Sequence, residues 1–548
     1  MYPKIEVELE DVSYGCNHLL FIDDLKLFSE SDNVLKLMVN ETKEFFRTVG
    51  LEMNIDKSAT NSVICEDDAK LLGSHEGYKY LGITESRVGK NMTNTVEKIV
   101  NSIESRVETL CKTRLNAKNL IRAVNEYAIS QINYFAGIVE MEPDQFKCID
   151  DGIRSILIKY HVHQQPACKE RLYLPRNELG RGLNSVELKS ERMLFQLNNT
   201  LKSNQELFLR RKAILKIESN GNTHLSKIEG FLKCKYNIEG PVTIKLLDEA
   251  QKSSLYSDIS KKFNHSKLYR IRTDPLISIK ESTAWLKHGN MQPREEGALC
   301  ALQDRNIFLE KGIKCPHCRD KYKSVDHMAT QCDRMLSHDY MRRHNEALRC
   351  IHLQLCLNYG LTKSKKIRNH SLQECRANKS VEIRVDTRIP TSIKVKYNKP
   401  DVFILDKIKK EILIVEVGIT SFDNLRAVET EKKHKYDLLA NHCGAMNGYK
   451  TRIIPYVMTW EGITTTFHKK YRIELNLDSR TQAYIQARVL KMTLESLSME
   501  ARRGEVIMEN EQEVTEKENL ESNMCENRPI SICDDILKNK IEIPLYPK

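Results

Sequence analysis

A chain of 548 residues is too long for one hydrophobic core and is expected to hold three or four domains. No uncharged apolar run approaches the roughly 18 residues that span a bilayer, and Met1-Tyr-Pro-Lys-Ile-Glu6 lacks the apolar stretch of a secretory signal. Its 86 Lys and Arg against 75 Asp and Glu give +11, which suits a nucleic-acid partner without specifying one, and its 16 cysteines read as thiols or metal ligands in a reducing, intracellular compartment.

In chain order, residues 1–90 alternate strand-like runs with one helix. Residues 18–28 read as two strands about an acidic turn at Asp23 and Asp24. Adjacent carboxylates repel, and a divalent cation relieves that cost. Mg²⁺ prefers one or two carboxylates together with substrate phosphates. Taken alone, such a pair is more often an ordinary acidic turn. Residues 33–49 follow a helical period, with Leu35, Met38, Val39, Phe45 and Phe46. The string Gly50-Leu-Glu-Met-Asn-Ile-Asp-Lys57 comes next, and then Tyr78-Lys-Tyr-Leu-Gly82.

From about residue 95 to 215 the pattern is helical and studded with Lys and Arg. Within it, residues 171–183 hold Arg171, Arg176 and Arg181 with two glycines. This stretch reads either as a phosphate-contacting surface loop or as a plain basic loop. Residues 216–300 suggest short helices. Cys315, Cys318, His327 and Cys332 then follow the spacing C-x2-C-x8-H-x4-C. Three thiolates and an imidazole match a closed, tetrahedral structural Zn²⁺ site. His317 lies inside the Cys315–Cys318 turn and is not expected to ligate. A helical stretch continues to about 360.

Residues 383–460 switch to strands, with Val402-Phe-Ile-Leu405, Ile412-Leu-Ile-Val-Glu-Val417 and Arg452-Ile-Ile-Pro-Tyr-Val457. A helix is expected at 426–441, giving a small α/β domain. Asp401 precedes the first of these strands, and Glu416 ends the apolar part of the second. Lys432, Lys435 and Tyr436 fall on the helix. The last forty or so residues, rich in Glu and Asn, are expected to be disordered.

The Asp-Asp turn, the Gly50 string and Tyr78-Lys-Tyr-Leu-Gly82 together resemble the last three palm motifs of a reverse transcriptase. The order of all the blocks, over about residues 15–505, resembles Pol proteins of non-LTR (LINE-like) retrotransposons that carry a C-terminal restriction-like endonuclease. That resemblance implies Asp23 and Asp24 as a polymerase metal pair, Lys57 as a phosphate-proximal lysine and Tyr80-Leu-Gly82 as the primer grip. It places residues 171–183 after the thumb, with Leu179 where glycine is usual. Trp285-Leu-Lys-His-Gly289 and residues 295–304 match the next linker block. Tyr340-Met-Arg-Arg-His-Asn345 would offer Arg342 and Arg343 to phosphates.

In the endonuclease, the resemblance makes Asp401 and Glu416 the Mg²⁺ ligands of a PD-(D/E)xK-type site. The usual lysine position, two residues after the second acid, is Gly418 here. Family members of this class move the lysine onto the next helix, so Lys432, Lys435 and Tyr436 are the candidates, Lys432 first. A further block, Ile454-Pro-Tyr-Val-Met-Thr-Trp-Glu-Gly462, follows.

The expected fold is thus multidomain α+β. It comprises a partial palm at 1–90, a helical thumb at 91–215, a helical linker at 216–305 and a CCHC zinc knuckle with its helix at 306–360. An α/β endonuclease at 380–480 and a helix with an acidic tail at 481–548 complete it. Only 22 residues precede Asp23, too few for the palm strand that supplies a third carboxylate, so DNA and RNA binding with DNA nicking is expected rather than polymerisation. The expected cofactors are structural Zn²⁺ and catalytic Mg²⁺, and the expected place of action is the nucleus. Two alternatives stand beside this reading: an inert or domesticated zinc-containing nucleic-acid-binding protein, and a standalone Mg²⁺ nuclease of host repair.

Overall fold

A computed structural model describes residues 5–515 except 10–11, 74–75, 87–88, 91, 140, 204–213, 215–217, 220, 222, 309–311 and 373. The fold is mixed α/β, and the chain divides into two compact units. One comprises Met1–Lys112, Ala123–Ile156 and Asn184–Ser254, the other Thr113–Arg122, Leu157–Leu183 and Leu255–Lys548. The expected thumb at 91–215 therefore falls partly in each. Among the described residues no helix is long and apolar enough to cross a membrane.

In the first unit, strands His18–Phe21 and Asp24–Leu27 form the expected hairpin, with Phe21 opposite Asp24. Its tight turn forces Ile22 to a φ of 57°, a region a β-branched residue rarely adopts. Helix Asp32–Thr48 follows. Of its apolar residues only Met38 is fully buried, and Leu37 and Phe45 stay exposed. Strands Gly77–Tyr80 and Ile83–Ser86 form a second hairpin whose turn is Leu81-Gly82. The helical part packs Leu194 and Phe195 of helix Val186–Ser203 against Ile228 and Leu232 of helix His224–Tyr236.

The second unit is built on a five-stranded sheet of Cys375–Ala377, Val381–Val385, Val402–Asp406, Glu411–Thr420 and Lys450–Thr459, in that spatial order. The first four strands run antiparallel to their neighbours. The last pair is parallel, because helices Leu425–His434 and Asp437–Asn447 cross back between Glu411–Thr420 and Lys450–Thr459. The single helix expected at 426–441 is thus broken at Lys435-Tyr436, where the Tyr436 ring turns into a core with Phe403, Ile414 and Leu439.

One core joins Trp285, Leu299, Cys315, Cys332, Ile351, Cys356, Val415, Tyr456 and Leu490. The boundaries expected at 305/306 and 360/380 fall inside it. Apolar residues of the expected knuckle and its helix are buried in the same core as the sheet. Helix Ser479–Thr515 runs on into the acidic segment, and the tail from residue 516 lies outside the described residues.

Candidate active site and zinc site

Strand register places the two carboxylates. Val402 pairs with Val415, so Asp401, just before the strand, comes to lie beside Glu416. The Asp401 backbone N–H donates to Glu416 Oε1 at 3.1 Å, and the Val417 N–H donates to Asp401 Oδ2 at 2.8 Å. Glu416 is 1% exposed, and a carboxylate this deep must be compensated. Lys432 from helix Leu425–His434 puts Nζ 2.8 Å from Glu416 Oε2, and Lys435 from the helix break puts its own 3.5 Å away. The Lys432 stem passes over Gly418, where a β-carbon would stand 3.1 Å from Lys432 Cε. Burial opposes the Lys432 charge, but Glu416 and Asp401 outweigh it and raise its pKa above the usual lysine range. The Tyr436 hydroxyl donates to the Lys399 carbonyl at 2.7 Å, and burial, then the Glu416 charge, pushes the phenol far above its ordinary value.

Two further residues complete the cluster. His344, on helix Met341–Asn358, has Nε2 3.1 Å from Asp401 Oδ2, and its ring stacks on Tyr340 with centroids 6.0 Å apart. Burial tends to raise the Asp401 carboxyl. The His344 hydrogen bond and charge, Lys432 and the Val417 N–H reverse this and hold it below the usual range. Tyr340 lies close enough to Lys432, Asp401 and Glu416 to feel their charges. Both residues stand in the block whose Arg342 and Arg343 the resemblance offers to phosphates, and only the fold brings them to Asp401.

Four of these arginines go elsewhere, which corrects the expectation that Arg171, Arg176, Arg181 and Arg343 meet phosphates. Arg171 and Arg181 are each 1% exposed. Arg171 pairs with Asp304 at 2.9 Å and donates to the carbonyls of Leu179 and Cys300, both at 2.9 Å. Arg176 and Arg181 share Glu296, at 2.8 and 3.0 Å. A run of arginines and glycines looks like surface because its acidic partners lie far along the chain, in the 295–304 block. Arg343, also 1% exposed, donates to the Ala329 carbonyl and is pulled by burial down to about 10. Arg342 pairs with Glu495.

Cys315, Cys318, His327 and Cys332 converge, with one donor atom from each within 4.8 Å of the others. Cys315 Sγ lies 3.8 Å from Cys332 Sγ, and Cys318 Sγ lies 3.3 Å from His327 Nε2. Tetrahedral Zn–S bonds of about 2.3 Å put two sulfurs roughly 3.8 Å apart, so the donor set fits Zn²⁺. The Cys315 N–H bonds the Lys321 carbonyl, closing the Cys315–Cys318 turn, and Ser324 caps helix Val325–Thr330 by accepting from the His327 N–H at 3.2 Å. His317 is outside the four-atom cluster.

In the first unit Asp23 and Asp24 are exposed at the hairpin tip. The hairpin and the 50–57 and 78–82 stretches touch one another. The Tyr78 hydroxyl donates to the Lys57 carbonyl at 2.9 Å, and Lys26 Nζ sits 5.1 Å from the Tyr80 ring centroid. Among the described residues no further metal-ligating side chain converges on Asp23 and Asp24.

No protein-family model matches the chain. It is similar over 165 residues, at 28% identity, to the "Retrovirus-related Pol polyprotein from type-2 retrotransposable element R2DM" of Drosophila melanogaster. That match covers 27% of this chain and 15% of the polyprotein. The likeness is distant homology to a retrotransposon Pol polyprotein.

Proposed function

We propose that this is a retroelement protein whose second unit is a zinc-containing, Mg²⁺-dependent DNA endonuclease. The observation that carries the reading is the convergence of Asp401, Glu416 and Lys432, with Gly418 leaving the lysine its path. Asp401 and Glu416 would hold Mg²⁺. Both the His344 and Val417 contacts of Asp401 fall on Oδ2, so Oδ1 is the oxygen it offers a cation.

When bound, Mg²⁺ supplies Lewis-acid polarisation of the scissile phosphate and its attacking water. Lys432 keeps a fixed positive charge at the site, where it can steady negative charge developing on the phosphate. Lys435 adds a second, more exposed charge. His344 orients Asp401, and Tyr436 ties the helix break to the chain before Asp401.

Cys315, Cys318, His327 and Cys332 would hold Zn²⁺ in a structural role. DNA and RNA are the proposed partners. Asp23 and Asp24 would be the remnant of a polymerase metal pair, with Lys57 as its phosphate-proximal lysine.

Incubation of the purified protein with supercoiled plasmid and Mg²⁺, beside Asp401→Ala, tests the proposal. Nicking that the variant loses supports it. Absent nicking with nucleic-acid binding intact would leave the inert zinc-containing binding protein as the better reading.

A further inference from the structure

Helix Met341–Asn358 carries a second group of metal-ligating side chains beyond the active-site end. His352 and Cys356, four residues apart, share one face of that helix. The turn Ile367–Asn369 brings His370 back against them. His352 bridges the other two through opposite ring nitrogens, with Nε2 3.3 Å from Cys356 Sγ and Nδ1 3.0 Å from His370 Nε2, and would give a metal only one of them. One donor atom from each residue falls within 4.8 Å of the others. His352 and Cys356 are 0% exposed and His370 is 7% exposed, so the group is enclosed.

We propose that His352, Cys356 and His370 bind a second Zn²⁺, separate from the Cys315 site, with the fourth tetrahedral position taken by a water or small anion. A thiolate and two imidazoles form the borderline-soft set that Zn²⁺ takes and Mg²⁺ does not. The sulfur-to-nitrogen separation of 3.3 Å equals that between Cys318 and His327. It is close to the roughly 3.5 Å that tetrahedral Zn–S and Zn–N bonds span.

The ion would fasten the helix to the segment that leads into edge strand Cys375–Ala377. The same helix presents His344, so the second ion would brace the surface on which Asp401 rests. The metal assignment itself does not depend on the endonuclease reading.

Elemental analysis of the full-length protein, purified with zinc and without chelator, decides the matter. Two zinc ions per chain are expected, falling to one in Cys356→Ser and to one in Cys318→Ser. Cobalt reconstitution of Cys318→Ser should retain a thiolate-to-cobalt absorption band that the added Cys356→Ser removes. One zinc per wild-type chain, kept in Cys356→Ser, would overturn the inference and leave a hydrogen-bonded Cys-His-His chain. So would two zinc ions retained in a folded Cys356→Ser, whereas a zinc lost in Cys356→Ser but not in Cys318→Ser would support this site and count against the other.

Discussion

Lys432 reaches Glu416 across Gly418. Its Cδ and Cε lie 3.2 and 3.1 Å from where a β-carbon on Gly418 would stand, and its Nζ is 2.8 Å from Glu416 Oε2. Position 418 carries no side chain, and the Lys432 stem from the helix fills the space. Val457 Cγ2, 3.2 Å from the same point, closes the other side. A methyl group at 418 has to displace the lysine stem by a few tenths of an ångström. Gly418→Ala is therefore expected to slow nicking roughly 10-fold, since small misplacements at a reacting centre are costly, while thermal unfolding stays near wild type. An unchanged nicking rate would show that the Lys432 path is not constrained there.

The two lysines are unequal. Lys432 is nearer to Glu416 than Lys435, 2.8 against 3.5 Å, and its side chain is less exposed, 15% against 28%. A less hydrated charge acts more strongly. Lys432→Ala should cost about 100-fold or more in single-turnover nicking, on the scale of losing one preorganised electrostatic group, and Lys435→Ala clearly less. The reverse order would move the catalytic assignment to Lys435.

His344 touches Asp401, so in the proposed site it is a positioning residue. Outer partners of metal ligands are worth about 10–100-fold in metal affinity or activity. His344→Ala should raise the Mg²⁺ concentration for half-maximal nicking by that factor, and His344→Gln, which keeps an N–H donor, should recover part of it. A lowered unfolding temperature with an unmoved Mg²⁺ midpoint would make His344 purely structural.

The sheet strands were legible because apolar runs at 402–405, 412–417 and 452–457 have no other compact use. The convergence of Asp401, Glu416 and Lys432 was legible through the resemblance. The helix break at Lys435-Tyr436 was not, because it is set by the Tyr436 ring entering a core whose other members come from three strands and a second helix. Nor was the role of His344, since its partner Asp401 is distant in sequence. Arg171, Arg176 and Arg181 misled for the same reason: local composition shows the charge and hides its partner.

That correction has a stability consequence. Removing one member of a buried ion pair strands the other and costs about 3–5 kcal/mol. Arg171→Met leaves Asp304, itself 1% exposed, without its guanidinium. A large fall in unfolding temperature is expected, with Asp304→Leu added to the same chain restoring part of it. A phosphate-contacting arginine would behave oppositely, leaving stability alone and lowering the salt slope of DNA binding by about one.

Asp150 gives the first unit a pH dependence of unusual sign. From helix Lys147–Lys159 its carboxylate caps the start of helix Val186–Ser203, accepting from Ser185 Oγ at 2.6 Å, Val186 N at 2.8 Å and Glu187 N at 3.1 Å. Burial outweighs these hydrogen bonds and pushes its pKa from 3.8 up to about 6. Between those values the native state holds the proton more tightly than the unfolded chain. The contribution is therefore fully present below about pH 4 and is lost as pH rises through about 6, a change on the order of 3 kcal/mol. Amide exchange in helix Val186–Ser203, corrected for intrinsic rates, should show greater protection at pH 4.5 than at pH 7. Asp150→Asn, neutral throughout, should flatten that difference. Protection that instead grows with pH would mean the three hydrogen bonds hold Asp150 ionised in the fold.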